Sequence, residues 1–175
     1  MSVCLVSKNA NEVLFNDSVI LPELTQMGVK LERWNVQDVD LTHIDLDNPT
    51  AALIQEIVMG DQQCVDRLYA FRTPNGKIDL VSLYPDMKGL DELLVKFKQV
   101  HDHAAPEIRL ILGGAGVFNL YNDRGERFEI LVKGGDFLFI PADIAHNFEL
   151  TAAHTIRALR VFQDQDGWVP RPREI

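Results

Sequence analysis

Short apolar-rich runs, broken by polar turns, give the second half of the chain nearly continuous β character from Asn75 and Gly76 onward. The segments KIDLVSLYP, EIRLILGG, GVFNLYN, ERFEILV, FLFIPA, AHNFEL and TIRALRVF are short and rich in β-branched and aromatic residues, with turns such as NDRGE and KGGD between them. Many short strands at even spacing, joined by glycine-containing turns, predict a mainly β protein: a small antiparallel barrel or a double-sheet jelly roll. Helical spacing is confined to the first half and to DELLVKF, a short helix or helical turn between KIDLVSLYP and EIRLILGG.

In the first half, residues 3–7 form an apolar run with strand character, ended by the turn-prone SKNAN. Asp17 and Ser18 can cap a helix through ILPELTQM, which Gly28 stops in a left-handed conformation. VKLERWNV alternates as a strand, with Trp34 in the core and Glu32 and Arg33 on the surface. NPTAALIQEIVMGDQQCVDRLYAF has helical spacing behind Pro49, divided near Gly60 and Asp61 into two helices that pack on the outside of the β domain and carry no chemistry. The tail GWVPRPREI is too rich in proline to extend a sheet and is expected to lie across its surface.

Composition narrows the function classes. A chain of 175 residues is expected to form one domain, with residues 1–75 packing on a barrel of residues 76–165 and residues 166–175 as tail. Apolar content of 46% and charged content of 25% suit a globular protein, and a formal net charge of −9 opposes binding to a phosphate backbone. No nucleic-acid or membrane partner is expected, since no run of eighteen apolar residues and no basic, apolar leader is visible. The expected place is the cytoplasm and the expected state a monomer. Cys4 and Cys64 lack a metal or redox spacing and read as reduced structural thiols.

The chemistry concentrates between residues 100 and 148, which open with VHDHAAPEIRL and close with GGDFLFIPADIAHNF. In an extended strand alternate side chains share a face, so His101 and His103 point one way and Glu107, at an even offset, can join them. The return strand FLFIP leads to His146, a fourth ligand. A single histidine is more often an ordinary polar residue, but three of the chain's five fall within HxHxxxE and PxDxxH. Three imidazoles and one carboxylate suit Fe, Ni, Cu or Zn, and on an octahedral ion they leave two positions for a chelating substrate.

The same parity places other residues. Arg109, two beyond Glu107, shares its face and can recognise an anion beside the metal, or simply pair with an acid. Phe97 and Phe148 can border the site or pack as core. Arg160 is a weaker second cation; Arg157, in the same strand, has opposite parity. His154 reads as a surface residue.

His101, His103, Glu107 and Gly114, then Gly135, Pro141 and His146, resemble the two signature motifs of the cupin superfamily. Asp143 stands where glycine is usual and Leu150 where asparagine is usual. Nearly the whole chain is similar to the acireductone dioxygenases of methionine salvage, through MGVKLERW, LVSLYPD, HDHAAPEIR, Gly114 to Phe118, GDFLFIPADIAH and RVFQDQDGWVP. The resemblance implies a cupin-type barrel holding one Fe(II) or Ni(II) on His101, His103, Glu107 and His146. It implies acireductone, an enediol-ketone with a methylthio tail, as substrate together with O2. Glu107 and Arg109 are implied as catalytic residues, Arg109 helping to generate and hold a substrate dianion. Phe97, Phe148 and Arg160 correspond to pocket positions. Val100 replaces a usual acid linked to metal incorporation, Asp102 and AAP also depart from the pattern, and Pro106 can bend the chain beside Glu107. A different metal-dependent cupin enzyme, such as an isomerase, and a non-catalytic cupin binding module are the competing readings.

Overall fold

A computed structural model describes residues 2–6, 13–14, 17–37, 44–164 and 169–175, with side chains described from residue 18 onward. The expected SKNAN turn, the Cys4 side chain and the GW pair at 167–168 lie outside the described residues. In chain order the elements are β1 (Ser2–Val6), β2 (Val13–Leu14), α1 (Asp17–Gln26), β3 (Lys30–Arg33), β4 (Leu46–Asp47), α2 (Ala51–Ile57), α3 (Gln62–Phe71), β5 (Lys77–Leu83) and α4 (Leu90–Lys98). They continue with β6 (His101–Asp102), β7 (Glu107–Tyr121), β8 (Arg127–Lys133), β9 (Asp136–Ile140), β10 (His146–Leu150), β11 (Ile156–Phe162) and β12 (Arg171–Pro172).

The architecture is the expected mainly antiparallel cupin-type barrel, and one strand organises it. EIRLILGG and GVFNLYN, expected as two strands, form a single strand of 15 residues, β7. Its first half pairs with β9, which carries β3, and with β11, which carries β5 and β4 beyond it, and its second half pairs with β8 and β10. The wall therefore turns a corner within β7. Gly114 makes the corner at φ +71°, and a Cβ there would sit 2.1 Å from the Thr155 carbonyl oxygen, so only glycine fits. Register slips opposite, between Arg157 and Ala158.

The corner also reverses parity. Before it Ile108, Leu110 and Leu112 pack outward against the helices, with Glu107, Arg109 and Ile111 turned inward; after it Phe118 and Leu120 face inward instead. The outer layer is closed by α2 and α3, whose Ile54, Ile57, Val65 and Leu68 are buried against β5, β7 and β11. That is the packing expected of the helix pair. Thr50 accepts from the Leu53 N–H to cap α2, and Asp61 accepts from Gln63 and Cys64 to cap α3. Gly28, at φ +76°, ends α1 as expected, although Asp17 lies in the helix itself.

Trp34 is core, stacked on Phe137 with ring centroids 4.6 Å apart. Glu32 departs from its expected surface position: half-buried, it accepts two hydrogen bonds from Arg67 at 2.7 and 2.8 Å, with that guanidinium lying over the Trp34 ring. Burial pushes the Cys64 thiol up to about 11, in keeping with an unreactive structural thiol. The tail corrects the sequence reading. Arg171 and Pro172 do extend the sheet, pairing with Asp102 and His101 of β6. Proline is tolerated there because β12 is an edge strand of two residues.

Candidate metal centre

Three segments carry the ligand-capable groups to one point. Between them β10 and β6 pair His146 directly with His101, and β7 starts at Glu107 immediately after Pro106. Of His101 and His103 only His101 lies in a strand; β6 ends at Asp102, and His103 opens the bend that leads to Pro106. Even so, one ligand atom from each of His101, His103, Glu107 and His146 lies within 4.8 Å of every other. The expected bend at Pro106 does not turn Glu107 away. One carboxylate oxygen, Oε2, lies 3.2 Å from His103 Nε2 and 3.1 Å from His146 Nε2.

The other ring nitrogens fix the chemistry of the first. His101 Nδ1 is 2.7 Å from the Gln99 carbonyl, His146 Nδ1 is 2.8 Å from the Ile144 carbonyl, and His103 Nδ1 is 3.3 Å from the Val169 carbonyl. A carbonyl oxygen can only accept, so each Nδ1 carries its proton, and in the neutral ring Nε2 presents a lone pair. Lone pairs from these rings then converge on an anionic carboxylate. Such a set is satisfied by a shared cation or by protonated imidazoles, and anchoring of each ring through a backbone carbonyl is the usual support of metal-binding histidines. The donor set fits a divalent transition metal.

Electrostatics point the same way. Burial alone would push the Glu107 carboxyl up, but the Arg109 guanidinium and the hydrogen bonds with His103 and His146 hold it well below the usual carboxylate range. Burial lowers the pKa of His101, favouring the neutral ring that a metal needs. Burial works the same way on His146, yet the neighbouring Glu107 raises its pKa overall.

Above the cluster opens a cavity of about 540 Å³. Arg109 reaches it from β7, with Nη2 2.9 Å from the other Glu107 oxygen, and burial lowers its pKa. Phe97 of α4 and Phe148 of β10 both line it, edge to face with centroids 6.0 Å apart. Arg160 lines it too, while Arg157 faces a different cleft beside Gly113, as their parity requires. The Arg160 guanidinium is held by Asp79 through two hydrogen bonds of 2.8 Å. His154 is exposed, as expected, and Val100 contributes a backbone carbonyl that accepts from the Arg173 N–H at 3.0 Å.

Three contributors escaped the sequence reading. Asp79 was legible: it alternates with Ile78 and Leu80 of the outer core, so an acid faces inward beside Arg160. Phe118, 4.8 Å from Phe148, was hidden by the parity reversal at Gly114. The Val169 carbonyl carries no side-chain signal at all.

The ARD/ARD' family model matches residues 15–170. A curated acireductone dioxygenase of Leptospira biflexa serovar Patoc is 44% identical over 148 residues, covering 84% of this chain and 82% of the relative. That of Yersinia pestis (strain Pestoides F) is 34% identical over 158 residues, 89% of this chain and 81% of the relative. Against that of Rhodopseudomonas palustris (strain ATCC BAA-98 / CGA009), 47% identical over 90 residues, the match spans about half of each chain, 51% and 54%. The solved acireductone dioxygenase from Bacillus anthracis, with a cadmium ion in its active center, superposes with a TM-score of 0.75 at 26% identity and covers 98% of both chains. The chain belongs to the ARD/ARD' family.

Proposed function

We propose that the chain is a metal-dependent acireductone dioxygenase, with His101, His103, Glu107 and His146 holding one Fe(II) or Ni(II). The observation that carries this reading is the convergence of three backbone-anchored imidazoles and a depressed carboxylate at the floor of a cavity that also admits an arginine. The bacillary relative, which holds cadmium in its active center, supports a metal at the same kind of centre. Bound there, the ion supplies Lewis-acid charge to a substrate anion.

The chain's own residues do the rest. Arg109, buried and cationic beside the cluster, favours the deprotonated enediol and orients it. Phe97 and Phe148 keep water from the anion and flank the methylthio tail. Asp79 holds Arg160 against the wall beside Arg109, its cross-strand neighbour, and offsets the repulsion between the two cations. Val100 and Pro106 shape the approach to the first three ligands. In this reading the enzyme acts in the cytoplasm as a monomer on acireductone and O2, without nucleic acid or membrane, in keeping with its net charge of −9.

Aerobic decay of the enediol absorbance tests the proposal. It is expected to depend on added metal and to vanish in His101→Ala and Glu107→Ala. Iron-loaded protein is expected to give the keto acid precursor of methionine and formate; nickel-loaded protein should give methylthiopropionate, formate and carbon monoxide. Turnover of a substrate without oxygen would favour an isomerase instead, and metal-dependent stability without oxygen uptake a binding module.

A further inference from the structure

We propose that residues 169–173 form a strap that belongs to the metal centre, fastened by Asp102 and positioning His103; the inference rests on the proposed metal site. Local geometry explains why Asp102 sits where it does. His101 and His103 turn toward the cluster, so the residue between them turns the other way. Its carboxylate is fully buried, and a buried charge needs partners. The tail supplies them. Arg171 Nε donates to Asp102 Oδ1 at 2.6 Å, and Arg173 Nη1 lies 3.2 Å from Oδ2.

The backbone adds to the fastening. Arg171 and Pro172 pair with Asp102 and His101, and the Arg173 N–H donates to the Val100 carbonyl. Arg171 also reaches Asp143, whose own N–H donates to the His103 carbonyl at 2.9 Å. The His103 segment is therefore held from both sides. Two residues before Arg171, the Val169 carbonyl accepts from His103 Nδ1, which turns Nε2 into the cluster. Between them Pro170 forms part of the cavity wall. Arg171 and Arg173 are thus positioning residues: they set the carbonyl that sets the ligand ring, without touching metal or substrate.

Support of this kind contributes about 10–100-fold to metal affinity. Nickel(II) alone is the probe, titrated against a competing chelator, with melting temperatures of metal-free and nickel-loaded protein as second readout. Arg171→Gln and the pair Arg171→Gln/Arg173→Gln alter half-exposed side chains, with 47% and 53% of their surface accessible. Both variants are expected to bind nickel about 10–100-fold more weakly; the metal-free melting temperature falls as the buried Asp102 carboxylate loses a partner, and the nickel-loaded one falls further, so that the nickel-induced increase is reduced. Arg171→Lys should restore part of the affinity. Asp102→Asn and Arg171→Gln should be non-additive in their effect on nickel affinity. Unchanged nickel affinity in the double variant overturns the strap, as does an equal fall of both melting temperatures, which is the signature of a structural role alone. A wild-type chain that binds no nickel or iron sinks the metal reading, and the strap with it.

Discussion

Arg109 Nη2 lies 2.9 Å from Glu107 Oε1, while the other oxygen of the same carboxylate faces His103 and His146. One carboxylate thus joins the cation expected to bind substrate to the imidazoles expected to bind metal. Arg109→Ala is expected to reduce kcat/KM by about 100–1000-fold, the cost of removing one preorganised donor from a developing anion. Metal content should stay near wild type, since Arg109 is not among the ligands. Arg109→Lys should recover little, because a point charge does not reproduce the guanidinium fork. Steady-state kinetics with elemental analysis of the same samples measures both, and normal turnover by Arg109→Ala removes the anion role.

The metal-free protein should show a pH signature from the Glu107 and His146 pair. Glu107 has a folded pKa well below its ordinary 4.5, so its contribution is present above that value and is lost as pH falls toward the folded pKa. His146 has its pKa raised from 6.5, so its contribution is present below 6.5 and is lost as pH rises through the folded value. The pair therefore stabilises most between about 4.5 and 6.5. Metal binding has the opposite slope: it needs neutral imidazoles and expels the His146 proton, so apparent affinity should rise with pH through the same region. Calorimetric melts of metal-free wild type and Glu107→Gln across pH check the first part, and the variant should lose the maximum.

The four ligand-capable side chains were legible in the sequence because His101, His103 and Glu107 are close in the chain, in the spacing HxHxxxE. Strand parity is not the whole reason they meet. His103 lies beyond the end of β6, and its ring is aimed by the Val169 carbonyl, 66 residues away. Backbone groups leave no mark in residue type, so the tail read only as proline-rich surface. Parity did place Arg109, Phe148 and Arg160 correctly, because no slip separates Arg109 from Glu107 or Phe148 from His146, and Arg160 pairs in register with Arg109. It failed for the two halves of β7, where glycine at positive φ let one strand turn the corner that looked like a break.

That corner is itself testable. Gly114→Ala places a Cβ 2.1 Å from the Thr155 carbonyl oxygen at a φ of +71°. Left-handed backbone costs an L-residue about 1–2 kcal/mol, and the backbone clash adds to it. Urea denaturation is expected to show a loss of at least about 2 kcal/mol. Gly60, at φ +79° with nothing within 4 Å of an added Cβ, provides the control: Gly60→Ala should cost about 1 kcal/mol, the conformational part alone. Equal losses at the two positions would show that the close approach of β7 to Thr155 has no energetic weight.

Phe148 separates a substrate contact from core packing. Its ring is tilted 48° against that of Phe118 at 4.8 Å, meets Phe97 edge-on, and lies over Gly116, where an added Cβ would come 2.3 Å from it. Phe148→Ala removes part of the cavity wall two residues along β10 from His146 and leaves the four clustered side chains intact. Loss of apolar contact with the methylthio tail is expected to raise KM by about tenfold, equivalent to about 1.4 kcal/mol. A substrate analogue with the tail shortened to hydrogen should bind the wild type and Phe148→Ala alike, because it has nothing to place against that wall. If both substrates lose affinity equally, the ring acts on the metal end of the pocket rather than on the tail. If neither does and only the melting temperature falls, Phe148 is core.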